Sequence, residues 1–178
     1  MRFACIPPVV HFVWLGSSLP EDAVRNIGTF CRPGWAVQVH LDERLLWPAW
    51  RDAYNRCDGA TNRFGDWVRM RSDLLRLSIL RQRPGWYVDV DSVRDGHWPL
   101  GATPDWRILC AGDAVIGPAN WMLGASGETA WNLIDDYIAG TRWFPDARLY
   151  GCLMLGATGT YRTVPTEGIW NPIQGVRA

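Results

Sequence analysis

The chain has 178 residues, of which 48% are hydrophobic and 20% are charged, and its 18 basic and 18 acidic side chains give a formal net charge of +0. This length suits one domain with one core, and the hydrophobic fraction excludes wholesale disorder. The balanced charge argues against a generic nucleic-acid coat or a basic membrane binder, although it does not exclude a local basic groove.

Three residue types narrow the class of protein further. All 18 basic side chains are arginines, which can bind phosphate through two hydrogen bonds, and the 12 tryptophans suit both core packing and stacking on sugars or bases. The five scattered cysteines form no C-x-x-C pair, so we expect reduced, mostly buried thiols and no zinc site. No apolar run approaches the roughly 20 residues of a membrane span, and no signal peptide is evident. We therefore expect a cytoplasmic protein of a bacterium or of a phage-infected cell.

Strand and helix patterns alternate along the chain. The run P-V-V-H-F-V-W-L, which ends at Gly16, predicts a buried first strand, and Glu21 and Asp22 suit the start of the helix that follows. In chain order, the predicted elements are strand 8–15, helix 20–31, strand 35–41, helix 44–56, helix 67–81, strand 86–90, strands 108–116 and 120–124, and helix 129–139. This alternation predicts one compact α/β domain over residues 1–178, with a mostly parallel sheet flanked by helices.

The helix predicted at residues 67–81 carries two different faces. At 100° per residue, one side is apolar and consists of Trp67, Met70, Leu74 and Leu77. The opposite side is polar and consists of Arg69, Ser72, Asp73 and Arg76. The polar side has two interpretations. It is either a surface ladder of ion pairs, each worth about a few tenths of a kcal/mol, or a ligand site that binds sugar hydroxyls and phosphate.

The strongest local signal is the segment Y-V-D-V-D at residues 87–91. On a strand, Asp89 and Asp91 point to the same face, and two adjacent carboxylates at the end of an apolar strand are costly without a cation between them. A hard divalent cation such as Mg²⁺ or Mn²⁺ suits such oxygen ligands. The ligand crevice of an open α/β sheet also lies beyond the carboxyl ends of its strands. The alternative is a solvated turn that begins at Asp91 and Ser92.

Three motifs occur in the order found in a known enzyme family. They are H-F-V-W-L-G at residues 11–16, R-S-D-L-L-R at 71–76 and G-W-Y-V-D-V-D at 85–91. Together they resemble the patterns I-P-K-x-I-H-x-x-W-x-G, S-D-x-x-R and G-G-x-Y-x-D-x-D of glycosyltransferases whose sugar-binding region contains a DXD motif. That family includes the initiating α-1,6-mannosyltransferases of yeast and, more distantly, the glucosylating clostridial toxins. The chain departs from the usual lysine, glycine and proline at Pro8, Pro84 and Thr160.

The resemblance implies a GT-A-like fold, a UDP- or GDP-sugar donor and a divalent cation, Mn²⁺ or Mg²⁺. It implies that Asp89 and Asp91 bind the metal and, with Arg76, are the catalytic residues. It also implies that Asp73 holds the donor sugar or ribose and that Arg76 faces the sugar or the diphosphate, so that Asp73, Arg76 and Asp89 all contact the donor.

Two aromatic positions complete the site implied by the resemblance. Trp14, at the end of the first predicted strand, would lie against the nucleobase. A further metal or diphosphate contact in this family comes from a residue near a C-terminal tryptophan, which makes Glu167 and Asn171 the metal-ligand candidates and Trp170 a donor contact. Glycine and proline are closely spaced over residues 165–172, so we expect a loop there, acting as a lid that orders with donor and metal.

His11 lies inside one of the three motifs, but it also lies in an apolar strand. A histidine in that position is more often a hydrogen-bonded core residue than a ligand. We therefore assign it a structural role first.

The expected activity is metal-dependent, retaining transfer of a sugar to a hydroxyl acceptor, with attack on the same face as the departing diphosphate. The acceptor is open: it is a glycan, a lipid-linked saccharide or a protein, or else a hydroxymethylated base in phage-type DNA. A third class is a non-catalytic module that binds a nucleotide-sugar without turnover.

Overall fold

A six-stranded sheet organises the chain. The structure is a computed structural model that describes residues 3–16, 18–58, 61–62, 65–96, 102–104, 106–113, 117–140, 151–164 and 169–170. Its strands are β1 Phe3–Cys5, β2 Val9–Val13, β3 Ala36–His40, β4 Thr61–Asn62, β5 Gly65–Asp66, β6 Gly85–Val88, β7 Val93–Arg94, β8 Ala102–Pro104, β9 Ile108–Asp113, β10 Gly117–Ala125, β11 Tyr161–Val164 and β12 Ile169–Trp170. Its helices are α1 Glu21–Gly28, α2 Arg51–Arg56, α3 Trp67–Gln82, α4 Trp131–Gly140 and α5 Gly151–Thr158, and a 3₁₀ turn spans Pro48–Trp50.

The strand order of the main sheet is β11-β9-β10-β6-β2-β3. The pairs β2–β3, β2–β6 and β9–β11 are parallel, whereas β10 runs antiparallel to both of its neighbours, β6 and β9. Five of the six strands therefore point in one direction, and the carboxyl ends of β2, β3 and β6 meet at one edge. The predicted α/β fold with a mostly parallel sheet flanked by helices is confirmed.

Side chains of the sheet alternate between two hydrophobic clusters. On β6, Tyr87 packs on one face of the sheet, in the cluster formed with residues of α3, α4 and α5. Trp86 and Val88 pack on the other face, in the cluster that includes Ile27 of α1. All four residues of β6 are buried, as expected of a strand covered on both faces. The β2–β6 contact is close, because a Cβ atom at Gly85 would lie 2.7 Å from the carbonyl oxygen of Val9.

Helix α3 confirms the predicted helix and corrects the prediction of its polar face. Met70, Leu74 and Leu77 are buried as expected, but Asp73 and Arg76 on the other side are buried as well, and every residue from 73 to 80 is buried. The surface-ladder interpretation is therefore wrong. The reason is that α3 lies between the sheet and its neighbours α2 and α5, so that more than one of its sides is covered.

Other elements differ from the predictions in their bounds. The helix expected at 44–56 becomes the 3₁₀ turn Pro48–Trp50 followed by α2, because proline lacks an amide hydrogen and suits a first turn. The strand expected at 86–90 ends at Val88. In the loop expected at 165–172, Ile169 and Trp170 form β12, which pairs antiparallel with β7. The other residues of that segment lie outside the described part of the chain.

Two composition-based expectations can be compared with the structure. Of the four cysteines whose side chains the structure describes, Cys57 and Cys110 are buried, Cys5 and Cys31 are exposed, and none forms a disulfide. These four thiols are less buried than expected. No helix in the described residues has the length and apolar character needed to cross a membrane.

Candidate functional site

A cavity of about 350 Å³ opens where β2 and β6 end and α3 begins. Three short segments line it, and they contain or overlap the three motifs noted in the sequence. The lining residues are Val13, Trp14, Leu15 and Gly16, then Val68, Arg69, Ser72 and Arg76, then Tyr87, Asp89, Val90 and Asp91. The parallel β2–β6 pairing brings the first and third segments together, because both leave the sheet at the same edge.

Apolar and charged residues both line the cavity. Trp14, Leu15 and Val68 are among the apolar lining residues, and the charged ones are two arginines and two aspartates, Arg69, Arg76, Asp89 and Asp91. A mostly apolar cavity with a few converging polar groups is the usual form of a small-molecule site.

Arg76 joins helix α3 to the end of β6. Its Nη2 lies 3.1 Å from Oδ1 of Asp73, and its Nη1 lies 3.1 Å from Oδ1 of Asp89. The side chains of Arg76 and Asp73 are 7% and 5% exposed, whereas that of Asp89 is 23% exposed. Nη2 also donates to Oγ of Ser72, and the guanidinium carbon lies 4.4 Å from the centroid of the Tyr87 ring. The arginine is thus enclosed by the groups that it holds in place.

The charge of this cluster follows from its surroundings. Burial alone lowers the pKa of Arg76, but the negative charge of Asp89, with further contributions from Asp73 and Asp91, raises it above its ordinary value, so the guanidinium stays charged. Burial, reinforced by Asp89 and opposed by Arg76, raises the pKa of Tyr87 well above its ordinary value. The phenol therefore stays protonated, and its hydroxyl donates a hydrogen bond to Oδ1 of Asp89 at 2.7 Å.

Asp89 and Asp91 both line the cavity, although the strand that precedes them is shorter than expected. Strand β6 ends at Val88, and the amide of Ser92 donates to the carbonyl of Asp89 at 3.0 Å, which closes a turn over residues 89–92. The solvated turn expected at Asp91 and Ser92 is therefore wrong in its place and its exposure, because the turn begins at Asp89 and Ser92 is buried, and both aspartates line the cavity.

Asp89 and Asp91 are suitable ligands for a divalent cation whose other ligands are phosphate oxygens and water. Oδ1 of Asp89 accepts a hydrogen bond from Tyr87 and forms an ion pair with Nη1 of Arg76, and neither contact uses Oδ2. Within the described residues, no three histidine, cysteine or acidic side chains are grouped to hold a metal. Mg²⁺ is commonly bound by one or two carboxylates, with ligand phosphates and water supplying the remaining oxygens, so two aspartates are a suitable protein share.

Trp14 lies immediately beyond β2, and the structure fixes its ring against the backbone. Its amide donates to the carbonyl of His40 at 2.9 Å. A Cβ atom at position 16 would lie 2.6 Å from the indole Nε1, so Gly16 is needed for this ring position. Trp14 is one of the residues that line the cavity, and its contact with a nucleobase stays a prediction.

The other predicted site residues have different positions. Asp73 is paired with Arg76 and is not among the residues that line the cavity, so its contact with a donor stays a prediction. Trp170 is in β12, with its backbone paired to Val93, and nothing more is described of it. Glu167 and Asn171 lie outside the described residues, and their role as metal ligands also stays a prediction.

His11 is a core residue, as expected. It is buried in β2, and its Nδ1 lies 3.1 Å from Nε2 of His40. Burial, followed by the neighbouring His40, lowers the pKa of His11 to about 4, so its ring is neutral at pH 7. The partnership with His40 was not foreseen, because it depends on the β2–β3 register.

Sequence reasoning missed the contributions of Tyr87 and Val68 to the cavity. Tyr87 precedes Asp89 by two residues, and this spacing was the signal that its hydroxyl could reach the carboxylate. No comparable signal existed for Val68, which is the second residue of α3.

Comparison with known proteins finds a likeness in fold. No protein-family model matches the chain, and no curated protein sequence matches it. A solved structure described as the PaToxG glycosyltransferase aligns with a TM-score of 0.67, covering 88% of this chain and 69% of that one at 13% identity. The fold is glycosyltransferase-like. At this identity the likeness concerns architecture, and the cavity residues must carry any inference about chemistry.

Proposed function

We propose that the protein is a divalent-cation-dependent glycosyltransferase that moves a sugar from a UDP- or GDP-sugar to a hydroxyl acceptor. The observation that carries the proposal is the cavity itself. On a glycosyltransferase-like fold, three separate segments place a tryptophan wall, two carboxylates and a buried arginine around one space.

The apolar and the charged lining residues match the two chemical parts of such a donor. Trp14 provides a flat apolar surface for a nucleobase. Asp89 and Asp91 provide oxygen ligands for Mn²⁺ or Mg²⁺ next to the diphosphate, and Arg69 adds a positive charge at the same opening. When bound, the cation supplies positive charge against the diphosphate as it leaves.

The residues of the chain then have separate tasks. Arg76 holds Asp89 in place and keeps positive charge close to the reacting centre. Among the described lining residues, the only carboxylates are Asp89 and Asp91, and neither is left to act as a nucleophile if both hold the cation. We therefore assign the retaining course implied by the family resemblance, in which the acceptor attacks the face from which the diphosphate departs.

Release of nucleotide tests the proposal. The protein is incubated with Mn²⁺ and each of several UDP- and GDP-sugars, with and without simple glycans or hydroxymethylated DNA, and free UDP or GDP is measured. We expect slow donor hydrolysis without acceptor, and a loss of about 100-fold or more in Asp91→Asn, because a charged group acting on the leaving diphosphate is removed. The control Asp136→Asn, an exposed aspartate of α4, should keep full activity.

Each other outcome has a distinct meaning. Stimulation by hydroxymethylated DNA alone would identify that acceptor. Donor binding without turnover under every condition would indicate a non-catalytic nucleotide-sugar-binding module. If no UDP- or GDP-sugar binds, the proposed function is wrong.

A further inference from the structure

The hydroxyl of Tyr87 donates a hydrogen bond to Asp89. The ring is buried in the core cluster on the α3 side of the sheet, and Oη is 2.7 Å from Oδ1 of Asp89. A buried phenol needs a hydrogen-bond acceptor, but any acceptor in the core, such as a backbone carbonyl, would have served. Here the partner is the carboxylate at the cavity wall.

Oδ1 of Asp89 is held from two different elements. Tyr87 of β6 donates a hydrogen bond to it, and Nη1 of Arg76 in α3 forms an ion pair with it at 3.1 Å. The torsion that rotates a carboxylate is intrinsically broad, so one donor would leave the group free to turn. A hydrogen bond and an ion pair on the same oxygen restrict the carboxylate plane, and neither contact uses Oδ2.

We propose that Tyr87 is a positioning residue that, together with Arg76, holds Asp89 so that Oδ2 alone is presented to the cation and the diphosphate. The proposal rests on the proposed function for its ligand. It goes further in assigning Asp89 as a single-oxygen ligand and in giving a core tyrosine a role in donor binding.

Tyr87→Phe isolates the hydroxyl. The phenylalanine ring keeps the core packing, and it keeps the aromatic face 4.4 Å from Arg76. Groups that orient a metal ligand typically change metal affinity by about 10- to 100-fold when they are removed. We expect a loss in that range for Mn²⁺ binding in the presence of UDP, with a melting temperature close to that of the wild type.

The matched control is Tyr54→Phe. Tyr54 is equally buried and lies in the same core cluster, but it is not among the residues that line the cavity. Free Mn²⁺ is measured by electron paramagnetic resonance with UDP and, separately, with GDP, for the wild type and both variants. Crystal structures of the ligand-free wild type and Tyr87→Phe then show the orientation of Asp89 directly.

The expected result is weaker Mn²⁺ binding in Tyr87→Phe alone, with Asp89 turned or in two orientations. Unchanged Mn²⁺ affinity, or an Asp89 carboxylate that stays in its wild-type orientation, would overturn the positioning role. A wild type that binds Mn²⁺ with neither UDP nor GDP would instead contradict the proposed function. In that case the ligand-free crystal structures still decide whether Tyr87 fixes Asp89.

Discussion

Replacing Arg76 with methionine tests whether the α3–β6 connection is a buried ion pair. The substitution keeps the length and apolar stem of the side chain but removes the guanidinium that faces Asp73 and Asp89. Asp89 is 23% exposed and can regain water, whereas Asp73 is 5% exposed and cannot. Removing one partner of a buried pair costs about 3–5 kcal/mol, compared with about 0–1 kcal/mol for an exposed pair.

We therefore expect Arg76→Met to lower the free energy of unfolding by about 3–5 kcal/mol, measured by urea denaturation at pH 7. For a chain of this size that corresponds to a melting temperature lower by about 6–20 °C. Arg44→Met is the control, because Arg44 pairs with Asp42 at the surface and should change stability by less than about 1 kcal/mol.

The double variant Arg76→Met/Asp73→Asn examines the cause of this loss. If the loss of the ion pair between Arg76 and Asp73 dominates, neutralising that carboxylate restores part of the lost stability. A loss below about 1 kcal/mol in Arg76→Met, or no recovery in the double variant, would refute the reasoning.

Two further predictions concern ligand binding at Trp14 and the pH dependence of stability at His11. Trp14→Ala should weaken UDP- or GDP-sugar binding by about 1–3 kcal/mol in calorimetric titration, whereas a large melting shift with unchanged affinity would indicate a purely structural ring. Because the pKa of His11 is lowered to about 4, the unfolded chain takes up a proton that the folded chain does not, so the free energy of unfolding should fall as the pH decreases from about 6.5 towards 4. Urea denaturation at several pH values should show a shallower decrease in His11→Gln, and an identical decrease would contradict this assignment.

Local sequence patterns predicted the elements that carry the site. The apolar run before Gly16, the helical period after Trp67 and the Y-V-D-V-D segment gave β2, α3 and β6 nearly at their observed bounds. These patterns are properties of neighbouring residues, so one sequence is enough to recognise them. The family resemblance then linked the three segments into one site.

Contacts between distant segments could not be predicted in the same way. The insertion of antiparallel β10 next to β6 depends on how the whole sheet assembles. The apolar helix α5 has no amphipathic period to mark it. The enclosure of Arg76 by Asp73 and Asp89 depends on the packing of α3 against the end of β6, so an i, i+3 pair that resembled a surface ladder is a buried connection.

Helix α3 also bears on how such a cavity could diverge during evolution. Residues 73–80 are buried without interruption, so a substitution there disturbs the close-packed core and the position of Arg76 together. Leu15, Val68 and Arg69 lie instead where their elements begin or end, and Val68 and Arg69 are exposed. Selection for a new ligand therefore meets the least resistance at this rim, while the interior of α3 is constrained both by stability and by the position of Arg76.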